Sequence, residues 1–137
     1  MAVKFNLQTI NYINIFSNIT KTNVKDCIVK EEIITFIINQ NQAARAIGKQ
    51  GKNVKRLSNL LKKRIKIIEY NQDPARFVAN LISPIKAKDI SKQDSIIIVK
   101  TNNFKEKSQI YGREKTNFKQ IQEMLSKFFS ELKIKLE

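Results

Sequence analysis

Residues 43–63 read AARAIGKQGKNVKRLSNLLKK, and they hold two of the chain's three glycines, Gly48 and Gly51. A simple turn needs one glycine. Two of them, separated by Lys49 and Gln50 and flanked by runs at helical spacing, describe a helix–GxxG–helix element. Its backbone must both turn and stay bare of Cβ atoms. The first run ends at Ile47. The second extends from Lys52 to Lys63, with Val54, Leu57, Leu60 and Leu61 as its inward stripe. Lys52, Lys55, Arg56, Asn59, Lys62 and Lys63 face outward. The second helix turns free N–H groups and its positive dipole end toward the glycines, where an anion is favoured. Arg45, Lys49 and Lys52 add cations around them.

The charge around this element is one-sided. The chain of 137 residues has 26 Lys and Arg against 12 Asp and Glu, a formal net charge of +14. A biased genome also produces chains rich in Lys, Asn and Ile, so the total does not select a ligand. The distribution says more. No carboxylate lies between Glu32 and Glu69, an interval that holds Arg45, Lys49, Lys52, Lys55, Arg56, Lys62, Lys63, Arg64 and Lys66. Such a surface attracts polyanions.

Outward from residues 43–63, the pattern sorts into elements. Residues 5–19 place Phe5, Ile10, Ile13 and Phe16 at helical spacing. VKDCIVK (24–30) and IITFIIN (33–39) read as strands joined by a tight turn at Glu31 and Glu32. RIKIIEY (64–70) reads as a third strand. Asp73 and Pro74 then supply an N-cap and a first helical residue for a helix to Ile82. IKAKDI (85–90) and SIIIVKT (95–101) read as strands around SKQD, FKEKSQIY as a short helix and GREK as a break. Residues 116–132 read as a helix and KIKLE as a closing strand.

The order α-β-β-α-α-β therefore occurs twice. At an offset of 64, Gly48 meets Gly112, Lys49 meets Arg113 and Asn53 meets Asn117. Val54, Leu57, Leu60 and Leu61 meet Phe118, Ile121, Met124 and Leu125. One position breaks the match: Gly51 meets Lys115. The expectation is an α+β chain of two modules, residues 1–71 with an intact loop and residues 72–137 with a degenerate one. Each would be a small three-stranded sheet covered by helices.

AIGKQGKNVKRL, in this element order, resembles the GXXG segment of a KH domain of the prokaryotic type (type II). Two such modules, with VKDCIV on the first strand and EYNQDPARFVANLISP as the junction, resemble the archaeal NusA-like transcription factors, which consist essentially of paired KH domains. The resemblance is specific over residues 24–84 and weaker beyond. It implies binding of single-stranded RNA, with the loop clamping the backbone of about four nucleotides and the bases in a neighbouring apolar groove. The implied RNA-binding residues are Arg45, Ile47, Gly48, Lys49, Gln50, Gly51, Lys52 and Asn53, with Gly112, Arg113 and Lys115 as a supporting surface. Glu114 would repel phosphate there. Ala44, Ile47, Val54 and Ile38 would wall the groove. RNA polymerase or a transcription complex is a candidate partner under the same resemblance. The alternative is a KH protein of the ribosome or another ribonucleoprotein, with no direct transcription role.

Enzymatic readings fit poorly. The spacing of a nucleotide-binding P-loop or dinucleotide fingerprint is missing. The chain has no histidine, the commonest general base and a common metal ligand. Glu31 and Glu32 read as solvated turn charges, and Cys27, the sole cysteine, as a packed strand thiol. No catalytic residue, metal, cofactor or small-molecule substrate is expected. One cysteine allows no intramolecular disulfide and suits a reducing compartment. IITFII and IIIV are too short to span a bilayer, and no signal peptide is expected, so the expected location is the cytoplasm.

Overall fold

A computed structural model describes residues 6–137; Phe5, expected in the first helix, lies outside them. The chain divides into two compact units, one ending at Tyr70 and the other running Asn71–Glu137.

The first unit opens with α1 (Leu7–Thr20). Its N-terminus is closed by a capping box: Asn6 Oδ1 accepts from the Thr9 amide at 2.9 Å, and Thr9 Oγ1 accepts from the Asn6 amide at 3.2 Å. Strands β1 (Val24–Lys30) and β2 (Ile33–Ile38) pair antiparallel across the Glu31–Glu32 turn, with Lys30 opposite Ile33. The chain then crosses through α2 (Ala43–Ile47) and α3 (Lys52–Leu61) to β3 (Arg64–Glu69), which pairs parallel to β2. A parallel neighbour requires such a crossover. The β1-β2-β3 order leaves the most apolar strand, β2, in the middle.

Alternate residues of β2 build the core. Ile34, Phe36 and Ile38 pack with Phe16, Cys27, Ala46 and Leu57. The Phe16 and Phe36 rings stack at 4.1 Å between centroids. Cys27 is buried in this core, as its strand position predicts. Leu60, expected on the inward stripe, is 57% exposed. At about 100° per residue it lies roughly a quarter-turn from the face centred on Leu57 and Leu61.

The second unit begins with α4 (Pro74–Ile82), where Asp73 Oδ1 accepts from the Ala75 amide at 3.0 Å and Pro74 takes the first position. Strands β4 (Asp89–Gln93) and β5 (Ile96–Lys100) form an antiparallel pair. Helices α5 (Phe104–Tyr111) and α6 (Thr116–Phe128) then lead to β6 (Lys133–Leu136), parallel to β5. Ile97, Val99, Ile110, Ile121, Met124 and Leu125 are buried, and the Phe77 ring meets Phe128 edge-on at 5.5 Å.

The fourth strand and the end of α6 differ from expectation: residues 85–88, read as part of that strand, precede β4, which starts at Asp89. The second hairpin turns at Asp94 and Ser95, so Ser91, Lys92 and Gln93 belong to β4 rather than to a loop. These polar residues are tolerated because β4 is an edge strand, and Asp94 accepts the positive φ of 54° that the short turn requires. Helix α6 stops at Phe128, because Leu132 is buried at the entry to β6 and the chain must turn before it.

The two helix-to-helix loops have nearly the same backbone. Gly48 has φ 79° and ψ 167°, Gln50 56° and 29°, Gly51 72° and 20°. Gly112, Glu114 and Lys115 have 70° and −178°, 54° and 30°, 60° and 19°. The first glycine of each loop occupies a region open essentially to glycine alone. The second sits in the left-handed helical region, which other residues enter at a cost of about 1–2 kcal/mol.

Steric room points the same way. A Cβ at Gly48 would come within 2.9 Å of the Asn53 side chain and 3.1 Å of its amide nitrogen, whereas one at Gly51 would meet nothing within 4 Å. Gly48→Ala should therefore destabilise the chain by about 2 kcal/mol or more, and Gly51→Ala by about 1 kcal/mol; urea unfolding of both variants compares them. Leu57→Ala should cost about 2–5 kcal/mol in the same assay, as a fully buried leucine truncated to leave a cavity.

Candidate nucleic-acid interface

The Gly48 amide makes the last α-helical bond of α2, to Ala44 O at 3.0 Å, and the helix ends there because Gly48 itself turns to φ 79° and ψ 167°. A single tight turn follows, Lys49–Gly51, closed by the Gly51 amide on Gly48 O at 3.1 Å with Gln50 at positive φ. Helix α3 starts with Gly51 as its N-cap and no side chain capping it. The Lys52 amide donates to Lys49 O within the turn, and no side chain at the N-cap takes the amides that follow. Lys49 and Gln50 are exposed and both glycines are half-buried, so the loop lies at the surface.

Of the residues expected to bind RNA, Arg45, Lys49, Gln50 and Lys52 are exposed around this loop, and Ile47 is 40% exposed at the end of α2. Asn53 has an additional task. Its Nδ2 donates to Arg45 O at 3.1 Å, tying the start of α3 to α2 across the reversal. Asn117 makes a similar bond in the second unit, to Ile110 O at 3.0 Å, seven positions back rather than eight. The offset match of the two asparagines was the available signal for this strut. Among the groove residues, Ala44 is exposed and Val54 half-buried, while Ile38 is fully buried in the core and presents no surface.

The cations divide by environment. Lys63 is engaged by Glu32 at 3.7 Å and donates to Glu31 O at 3.4 Å. Desolvation lowers the Lys66 ammonium from its ordinary value. Arg45, Lys49 and Lys52 form no ion pair among the described residues.

The second loop exposes Arg113, Glu114 and Lys115. The Lys115 ammonium lies 5.4 Å from the centroid of Tyr111, whose ring packs on Phe118 at 5.3 Å. Thr116 Oγ1 donates to Arg113 O. Among the described residues there is no cluster of His, Cys, Asp or Glu able to hold a metal ion, and no helix long and apolar enough to cross a membrane.

A match to the KH domain family runs over residues 11–109, through the whole first loop and into α5. The "Probable transcription termination protein NusA" of Methanococcus vannielii is 36% identical over 66% of this chain and 52% of its own length. The protein of the same name from Methanocaldococcus jannaschii is 28% identical over 98% of this chain and 75% of its own. The alignments thus take in about half of the first relative and three quarters of the second. The crystal structure of APE1850 superposes with a TM-score of 0.73 at 29% identity, covering 97% of this chain and 100% of that one. A family match over most of the residues, centred on a surface loop with the glycine spacing and uncapped helix described above, means that the chain belongs to the KH domain family.

Proposed function

We propose that the chain binds single-stranded RNA through the Gly48–Gly51 loop and acts as a NusA-like transcription factor in elongation or termination. The observation that carries this reading is the surface loop itself. Its bare glycine backbone leads into an uncapped helix, surrounded by Arg45, Lys49 and Lys52, within a segment that has no carboxylate between Glu32 and Glu69. Phosphates would lie against the glycines and the first amides of α3. Lys49 and Lys52 would add charge-assisted contacts, and bases would rest on the apolar surface of Ile47 and Val54.

The two units are read as tandem KH modules, with the boundary near residue 71 and the second loop contributing Arg113 and Lys115. That reading is supported by the shared element order and loop backbone. The names of the archaeal relatives support the transcription role. RNA polymerase would be the assembly presenting the transcript, in the cytoplasm. No part of this function calls for a catalytic residue or a cofactor.

Lys49→Asp combined with Gln50→Asp tests the clamp. Both side chains are exposed, so the thermal melt should hold within a few degrees while affinity for single-stranded RNA falls at least tenfold. Fluorescence anisotropy with labelled RNA measures the loss. Added salt should weaken the parent's binding, with a slope of about 0.7 per phosphate engaged. Equal binding of single-stranded RNA and duplex DNA, insensitive to the loop substitutions, would refute the reading.

A further inference from the structure

We infer a second phosphate-binding surface outside the loop: the outer side of α3 and the residue that ends it, formed by Lys55, Arg56 and Lys62, which continues the RNA path beyond the clamped nucleotides. It rests on the RNA reading of the Gly48–Gly51 loop and extends it along the helix that the loop begins. Lys55, Arg56 and Lys62 are all exposed, and none has an ion-pair partner among the described residues. Lys55 and Arg56 are successive residues of α3, about 100° apart around its axis, and Lys62 is the residue that ends the helix, in the left-handed conformation at φ 57°. With Lys52 at the first position, the stripe starts at the loop and runs the length of the helix.

Helix stability does not explain these cations. The first turn of α3 contains no acidic residue, although a carboxylate there would oppose the dipole favourably and a lysine opposes it unfavourably. The core does not explain them either, since Leu57 and its neighbours on the other face do the packing. The second unit supplies an internal control. At the same offset of 64, α6 places Thr116, Gln120 and Ser126 where α3 has Lys52, Arg56 and Lys62, and Glu123 where α3 has Asn59. Only Lys119 keeps the charge of Lys55. The same helix in the same element order therefore forms without the stripe, and the stripe accompanies the intact loop.

The single sign of the surface favours a polyanion over a folded protein partner, whose interface would be expected to alternate charges to set register. Continuity with the loop favours the RNA already held there. A strand leaving Gly51 along α3 would meet Lys52, then Lys55 and Arg56, then Lys62.

The test compares RNA of two lengths on the full chain at about 0.15 M salt, where charges farther apart than roughly 8 Å are largely screened. The variant is Lys55→Gln/Arg56→Gln/Lys62→Gln. A four-nucleotide RNA is followed by amide chemical shifts, which read weak binding, and a twelve-nucleotide RNA by anisotropy over a salt series. The triple variant should bind the short RNA within about threefold of the parent. It should lose roughly tenfold on the long one, with a salt slope smaller by about 2, the value for three lost phosphate contacts.

Parental affinity and slope for the long RNA would overturn the inference, leaving a solvated face or a surface for an acidic protein. Equal losses on both lengths would overturn it too, since a general field and not a track would then be at work. The Lys49→Asp/Gln50→Asp variant separates the two claims. If it loses RNA while the triple variant does not, the clamp stands and the track falls. If the triple variant alone loses the long RNA, the clamp reading falls and the track falls with it as a continuation of the loop.

Discussion

The reversal at Gly48 is the constraint on which the rest depends. Its dihedrals leave no room for any other residue, and Asn53 closes over it with a hydrogen bond to Arg45 O. Because α2 stops there, α3 begins at a glycine, without a capping side chain. Because α3 leaves in that direction, its Leu57 reaches Phe36 and Phe16 in the core while its opposite face meets water. One backbone turn thus sets the donors, the cations beside them and the helix packing behind them. The second unit makes the same turn with Gly112 and Asn117, so the geometry belongs to the fold and not to a ligand.

Much of this was legible in the amino-acid order, for reasons that differ by element. The β-branched run IITFII announced the central strand because a strand flanked on both sides has little use for polar residues. Asp73 and Pro74 announced α4 because cap chemistry is local. The edge strand β4 was harder. DISKQ has no apolar alternation, and its pairing is fixed by β5 and by a two-residue turn with Asp94 at positive φ. Leu60 misled for a related reason: apolar character shows what a residue tolerates, and its angle on the helix shows where it points. The Asn53 strut was visible only as a repeated residue, because a side chain that reaches across a reversal bonds a carbonyl eight positions back.

Two copies of one turn in a single chain separate what the fold demands from what it permits. Gly48 and Gly112 share a conformation that only glycine adopts, and both remain glycine. Gly51 and Lys115 also share a conformation, yet the residues differ. A lysine adopts that left-handed geometry at a cost of about 1–2 kcal/mol, so the turn itself does not require glycine at residue 51. Nor does packing, since a Cβ there would touch nothing within 4 Å.

The space that glycine keeps open at residue 51 therefore lies outside the protein. In the second unit a lysine stem leaves the backbone at that point and its ammonium comes to 5.4 Å from the Tyr111 ring centroid. A stem there substitutes a mobile point charge for a bare peptide surface. The two loops are in this sense one scaffold with two surfaces. The first leaves its backbone bare at residue 51, and the second, with Glu114 beside Arg113 and Lys115, presents charged side chains of both signs.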